Sequence, residues 1–289
     1  MSAFAGKSHP GYKRSHNEDC YLADAELGLF LVADGVGGHA DGEVASAIVR
    51  DTLRADLRTG ASLVDAIHDA HRAVLDEIDR RDESNMGSTV VAALVAHGEY
   101  DIAWVGDSRA YAFDGELTQI SRDHNPVSEM LALGAITPEQ AATHPERNVL
   151  SQSLGVSGTI KIAPGHIRAG LHPGQQLLLC SDGLTDEITD AQISRIMQEQ
   201  PTPQAQVDAL VEAALDAGGR DNVTVVVVGA KRVPSGDTAG SGCNRLETLD
   251  QAAAARRPDA TDEALWRRII WVLGVPVAVA IAWVLAKFF

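Results

Sequence analysis

Four short turns carry an aspartate where the chain leaves or enters an apolar run: VADG (32–35), GDSR (106–109), SDG (181–183) and RDN (220–222). Asp-Gly taken singly is a turn signal, with Asp supplying local hydrogen bonds and Gly a positive φ. Asp41-Gly42 and Asp114-Gly115 read as turns and nothing more. Position separates the others. Asp34 and Asp182 each follow an apolar strand, and Asp221 immediately precedes one. Carboxylates in such places lie at the rim of a core, and if the strands are neighbours they repel one another unless a cation intervenes. Hard oxygen ligands with many positions left to water suit Mg²⁺ or Mn²⁺. On residue types alone, a metal site and a set of unrelated turns are equally good readings.

Strands and helices must bring those turns together. LGLFLVA (27–33) reads as a short buried strand running into Asp34. Val44 and Ile48, then Ala45, Val49 and Leu53, recur at helical spacing, as do Leu63, Ile67, Ala70, Val74 and Ile78. STVVAALVA (88–96), DIAWV (101–105), RAYAF (109–113) and ELTQIS (116–121) read as strands. His97-Gly98 and Asp114-Gly115 punctuate them as hairpins. QLLLCS (176–181) is another buried strand, Val207, Leu210, Val211 and Ala214 mark a helix stopped at Gly218-Gly219, and NVTVVVV (222–228) is a closing strand. Hairpins between two helical stretches predict an α+β fold of helices on antiparallel sheets, not a doubly wound parallel sheet.

Seven motifs follow one another in order: RSHNED (14–19), VADGVGGHADGE (32–43), VGDSRAY (105–111), DHN (123–125), RNVLSQSLG (147–155), CSDGLTD (180–186) and RDNVTVVVV (220–228). Together they resemble the type 2C, metal-dependent serine/threonine protein phosphatases in their compact bacterial form, over about 4–229. The resemblance implies two packed antiparallel sheets flanked by helices, an α-β-β-α sandwich with its metals in a cleft at one end. It implies that Asp34 bridges two divalent cations, Mn²⁺ or Mg²⁺, with the Gly35 carbonyl on the second. Asp182 and Asp221 correspond to ligands of the first. Glu18 and Asp19 match acidic positions that hold metal-bound water, and Asp107 a position that helps bind a third, weaker metal. Arg14 matches the arginine that grips the substrate phosphate, which a guanidinium fork fits bidentately. The implied chemistry is attack on phosphorus by a metal-bridged hydroxide, with no cysteine or serine nucleophile. Cys180 then belongs to strand packing.

Two features depart from the family or are left open by it. Many eukaryotic members carry His directly after the first Asp-Gly; here that residue is Val36, and His39 follows three positions on. No proton donor is assigned. The stretch 125–148, with Pro126, Gly134, Pro138 and Pro145, corresponds to the flap beside the active site.

Composition narrows the function classes. The net charge is −16, and residues 1–230 alone carry 16 basic against 34 acidic side chains, a net of −18. Nucleic acid, which needs basic patches, is a poor partner for such a surface. Phosphoserine and phosphothreonine proteins are the expected substrates. The three cysteines, Cys20, Cys180 and Cys243, are odd in number and widely spaced, which argues for a reducing compartment. No apolar run follows Met1, so no secretory signal is expected. From 269 to 286 every residue is apolar, Gly or Pro. At ~1.5 Å per residue that is about 27 Å of helix, close to a bilayer's hydrocarbon core. Arg267 and Arg268 precede it, and Trp266, Trp271 and Trp283 sit near its two ends. The expectation is a phosphatase domain at 1–230, a flexible linker at 231–265 and a single-pass transmembrane tail anchor at 266–289. The segment 269–289 contacts the inner membrane and the domain stays on the cytoplasmic side. A membrane-bound Ser/Thr kinase and its substrates are then natural partners. Two alternatives are another two-metal phosphoesterase and an inactive membrane-bound adaptor. Missing stacking aromatics argue against the first, and the full set of aspartates against the second.

Overall fold

The computed structural model describes residues 3–37, 41–81, 85–156 and 161–229. In chain order the elements begin with strands β1 (Phe4–His9), β2 (Asp19–Asp24) and β3 (Leu29–Gly37), then helices α1 (Asp41–Arg58) and α2 (Leu63–Arg81). Next come strands β4 (Met86–Ser88), β5 (Val90–Ala96), β6 (Glu99–Val105), β7 (Arg109–Phe113) and β8 (Leu117–Gln119), and short helices α3 (Pro126–Ala132) and α4 (Pro138–Ala142). The series ends with β9 (Gly165–Gly170), β10 (Gln176–Cys180), helices α5 (Asp182–Thr185), α6 (Asp190–Glu199) and α7 (Pro203–Ala217), and β11 (Val223–Val228). One sheet runs β1-β11-β10-β7-β8 and the other β2-β3-β5-β6-β9, with β4 paired to β3. Every pairing is antiparallel.

The apolar runs are explained by burial on both faces. Along β3, Leu29, Leu31 and Ala33 pack with α1 and α2, while Phe30 and Val32 face the other sheet. Along β11, Val223, Val225 and Val227 pack with α6 and α7, while Val226 and Val228 meet the same central layer. Period-two alternation thus sends both sets of side chains into apolar cores. The three cores stack in the order helix, sheet, sheet, helix, which is the expected α-β-β-α sandwich. The helices supply matching stripes: Ala45, Val49 and Leu53 of α1 and Leu63, Ile67, Ala70 and Val74 of α2 are buried together.

Several boundaries differ from the sequence expectation. The strand expected at 88–96 is broken at Thr89 into β4 and β5, and 116–121 shrinks to Leu117–Gln119. Strands β1, β2 and β9 were not expected, because β1 and β2 mix polar with apolar residues and β9 (GHIRAG) is a largely exposed edge. Asp41-Gly42 is more than a turn: it opens α1. The expected linker and membrane segment lie outside the described residues. Among the described residues, no helix is long and apolar enough to cross a membrane.

Candidate metal centre

One end of the sandwich collects the aspartate turns. In the second sheet, β2 and β3 pair so that Asp19 lies opposite Asp34. The Gly35 N–H donates to the Glu18 carbonyl at 3.1 Å. A Cβ on Gly35 would sit 2.0 Å from the Gly42 carbonyl oxygen, so the start of α1 packs directly on this turn. Asp34 is held from the other side by the β4–β5 break. Thr89 N–H donates to the Asp34 carbonyl at 2.8 Å, Asp34 N–H donates to Thr89 Oγ1 at 3.1 Å, and Ser88 Oγ donates to the same carbonyl at 3.1 Å. Thr89 Oγ1 also shares a 2.7 Å hydrogen bond with Ser108 Oγ, beside Asp107. This buried hydroxyl chain joins the Asp34 turn to the Asp107 turn.

The other sheet contributes the remaining carboxylates. Because β10 and β11 are antiparallel neighbours, the residue after one strand and the residue before the next arrive at the same end. Those residues are Asp182 and Asp221. Ser181 N–H donates to the Thr224 carbonyl and Thr224 N–H to Ser181 Oγ, both at 3.0 Å. Ser181 Oγ in turn donates to Asp19 Oδ2 at 2.8 Å, bridging the two sheets. Asn222 clamps the loop between β1 and β2: its Nδ2 donates to the carbonyls of Pro10 (3.0 Å) and His16 (2.9 Å), and its Oδ1 accepts from Glu18 N–H (2.7 Å). That loop carries Arg14, whose Nη2 lies 2.7 Å from Asp221 Oδ2 with the guanidinium half exposed.

Arg14, Glu18, Asp34, Gly35, Asp107, Asp182 and Asp221 line one cleft of about 220 Å³. All but one of the residues singled out from the sequence are on its wall. The exception is Asp19, which lies behind the wall, buried, with Oδ1 lacking a hydrogen-bond partner among the described residues. Val36 also lines the cleft, while His39 lies outside the described residues. Among residues to which the sequence reading gave no role, Thr89, Asn148 and Asn222 share the wall.

The electrostatics of this wall are unfavourable without a counter-charge. Burial, then repulsion from Asp19, Asp182, Asp107 and Asp221, drives the Asp34 carboxyl well above its ordinary range. Burial, then Asp107, Asp186 and Asp221, does the same to Asp182. Asp107 is pushed up to about 6 by burial and by Asp123. Asp19 rises to about 6, burial outweighing the hydroxyls of Thr224 and Ser181. Glu18 is also raised, chiefly by burial. Arg14 cannot balance this many acids.

These residues fit divalent cations. The donors are hard oxygens, their mutual repulsion is what a cation relieves, and the buried Asp19 Oδ1 is left without a partner among the described residues. Among the described residues no three acidic, histidine or cysteine side chains already form a ready-made cage. The carboxylate oxygens lining the cleft suit Mg²⁺ or Mn²⁺, which take hard oxygen ligands. The DHN motif supports the same end. Asp123 holds the Arg109 guanidinium at 2.7–3.0 Å, His124 Nδ1 accepts from Gly106 N–H at 3.2 Å, and Asn125 Oδ1 accepts from Ser128 N–H at 2.7 Å, capping α3. Cys180 is buried, its thiol pushed up to about 12, and serves packing.

The family model described as protein phosphatase 2C matches residues 5–216. A serine/threonine protein phosphatase of Mycobacterium tuberculosis, PstP, is 37% identical over 267 residues, covering 88% of this chain and 51% of the relative. The chain thus spans about half the length of that relative. A serine/threonine phosphatase of Listeria innocua, stp, is 33% identical over 233 residues, covering 75% of this chain and 92% of the relative. Among solved structures, the M. tuberculosis phosphatase superposes with a TM-score of 0.73 at 36% identity, covering 80% of this chain and 99% of that one. The PstP catalytic domain in complex with two manganese ions gives 0.70 at 34% identity, covering 80% and 99%. With the family model spanning most of the sandwich, the chain belongs to the protein phosphatase 2C family.

Proposed function

We propose that this chain is a metal-dependent phosphatase that hydrolyses phosphoserine and phosphothreonine esters on proteins. The observation that carries this reading is the cleft in which Asp34, Asp107 and Asp182 are held above their ordinary pKa range beside the Arg14 guanidinium. Asp34, Asp182, Asp221 and the Gly35 carbonyl would hold two cations, Mn²⁺ or Mg²⁺, and Asp107 would help hold a third. When bound, such ions supply a water of lowered pKa and positive charge for the phosphoryl oxygens. Glu18, on the cleft wall, and Asp19, behind it, would hold water bound to them.

The chain's own residues do the rest. Arg14 offers the donors its Asp221 contact leaves over to two phosphate oxygens, and that contact fixes the fork at the cleft mouth. Two divalent cations would more than offset the three ligand carboxylates Asp34, Asp182 and Asp221, and together with Arg14 they would draw in a phosphate dianion despite the other acids of the site. The Thr89–Ser108 hydroxyl chain keeps the Asp34 and Asp107 turns at fixed separation. Phosphate release from a phosphothreonine peptide, measured with Mn²⁺ and again with chelator, tests the reading. Mn²⁺-dependent release is expected; hydrolysis of nucleotide esters in preference to phosphopeptides would overturn it.

The proposal includes a tether. The apolar run 269–286, preceded by Arg267 and Arg268, supports a single inner-membrane span with the catalytic domain on the cytoplasmic side. The linker 231–265, if flexible, has a reach of roughly 30–35 Å. That favours substrates at the same membrane, including a membrane-bound Ser/Thr kinase and its targets. Release of the protein from membranes by carbonate would rule the span out.

A further inference from the structure

Beside the metal cleft lies a larger hollow of about 740 Å³, walled on one side by α3 and α4. Asn148 lines both spaces, and its Nδ2 donates to Asp186 Oδ2 at 2.6 Å across their common wall. Three arginines, Arg109, Arg122 and Arg147, line the hollow against two aspartates, Asp123 and Asp186. That local excess of positive charge stands out on a chain of net −16.

The arginines are not equivalent. Arg109 is committed, bound through Nε and Nη2 to Asp123 and through Nη1 to the Tyr111 hydroxyl at 3.2 Å. Asp186 is likewise engaged by Asn148. Arg122 and Arg147 are exposed, and their guanidiniums pair with no acid among the described residues. Their mounts are nonetheless fixed. Trp104 Nε1 donates to the Arg122 carbonyl at 2.8 Å, and Asn125 Nδ2 donates to the Arg147 carbonyl at 2.9 Å. Two free guanidiniums on clamped backbone, facing one hollow next to a phosphate-binding cleft, make an anion receptor.

We infer that this hollow is a second subsite for the substrate polypeptide, where Arg122 and Arg147 bind an anionic side chain flanking the phosphoresidue seated in the metal cleft. The inference rests on the phosphatase reading above. Guanidinium forks accept carboxylate and phosphate alike, so the flanking anion is an acidic residue or a second phosphorylated one. An acidic domain repels such substrates at long range, and a local positive patch offsets that repulsion only where the chain must dock.

The test uses the full chain with Mn²⁺ and three phosphothreonine peptides differing only in the flank: neutral, glutamate-containing, or bearing a non-hydrolysable phosphonate. The readout is the ratio of kcat/KM values between anionic and neutral peptides. A preference of about three- to tenfold for an anionic flank is expected, in keeping with two solvent-exposed ion pairs. It should fall to near one in the Arg122→Ala/Arg147→Ala double variant and invert in Arg122→Glu/Arg147→Glu. A preference for glutamate assigns the anion as carboxylate, and one confined to the phosphonate assigns it as a second phosphate. A ratio of one in the unaltered protein, or a preference that survives both double variants, overturns the inference while leaving the phosphatase reading intact. Absence of Mn²⁺-dependent release from every peptide overturns both.

Discussion

Asp182 and Asp34 are held in a state that carboxyl groups in water avoid: buried, close to like charges and raised far above their ordinary pKa. Raised folded-state values mean that the native protein keeps protons which the unfolded chain releases. This contribution to stability is complete below the unfolded pKa, near 4, and is lost as pH rises through the folded values, about 6 for Asp19 and Asp107, with Asp34 and Asp182 also raised well above the ordinary carboxylate range. In chelator, the melting temperature is therefore expected to fall between pH 5 and 7.5, and Mn²⁺ should abolish that slope. Asp182→Asn removes one of the repelling charges while keeping the shape. In chelator at pH 7.5 it should melt a few degrees above the unaltered protein, yet gain little from Mn²⁺ and release no phosphate. A lower melting temperature in chelator would mean that the site is not charge-strained. Asp34, Asp182 and Asp221 were legible in the sequence because each borders an apolar strand. The roles of Thr89, Ser108 and Asn222 were not, even though Ser108 and Asn222 fall within the quoted turns, since their hydrogen-bond partners lie far away along the chain.

The loop between β1 and β2 has no regular structure to hold it, and Asn222 supplies what a ladder of backbone bonds otherwise would. Its three side-chain hydrogen bonds reach Pro10, His16 and Glu18, on either side of Arg14. Asn222→Ala leaves those backbone groups without partners, at about 1 kcal/mol or more for each one that stays buried. The expected result is a lowered urea midpoint together with a raised KM for phosphopeptide, because the Arg14 loop loses its register over the cleft. A lowered midpoint with unchanged KM would assign Asn222 to stability alone. At this scale the sequence was most readable where burial is two-sided: β3, β5, β10 and β11 announce themselves as apolar runs. Strand β9 has exposed residues along its length, and its hydropathy carries no comparable mark.

At the scale of the whole molecule, the proposed tether would be separable from the catalytic domain. Truncation after Arg232 should give a soluble phosphatase with nearly unchanged activity on short phosphopeptides and slower action on membrane-bound substrates in cells. Equal rates on membrane-bound substrates would remove the argument from effective concentration. The sandwich itself has one further consequence. Strand β11 sits between β1 and β10, so the last strand of the domain is inserted beside the first. During synthesis, β1 has no partner in its sheet until nearly every residue of the domain has been made. Asp221 likewise joins Asp34 only then. Nascent chains therefore carry an unpaired edge and an unfinished site through most of translation, and such long-range closure is slow and exposed to aggregation. On the proposed reading, phosphatase activity would then require the whole sandwich, because Asp221 meets Asp34 only when β11 is in place between β1 and β10.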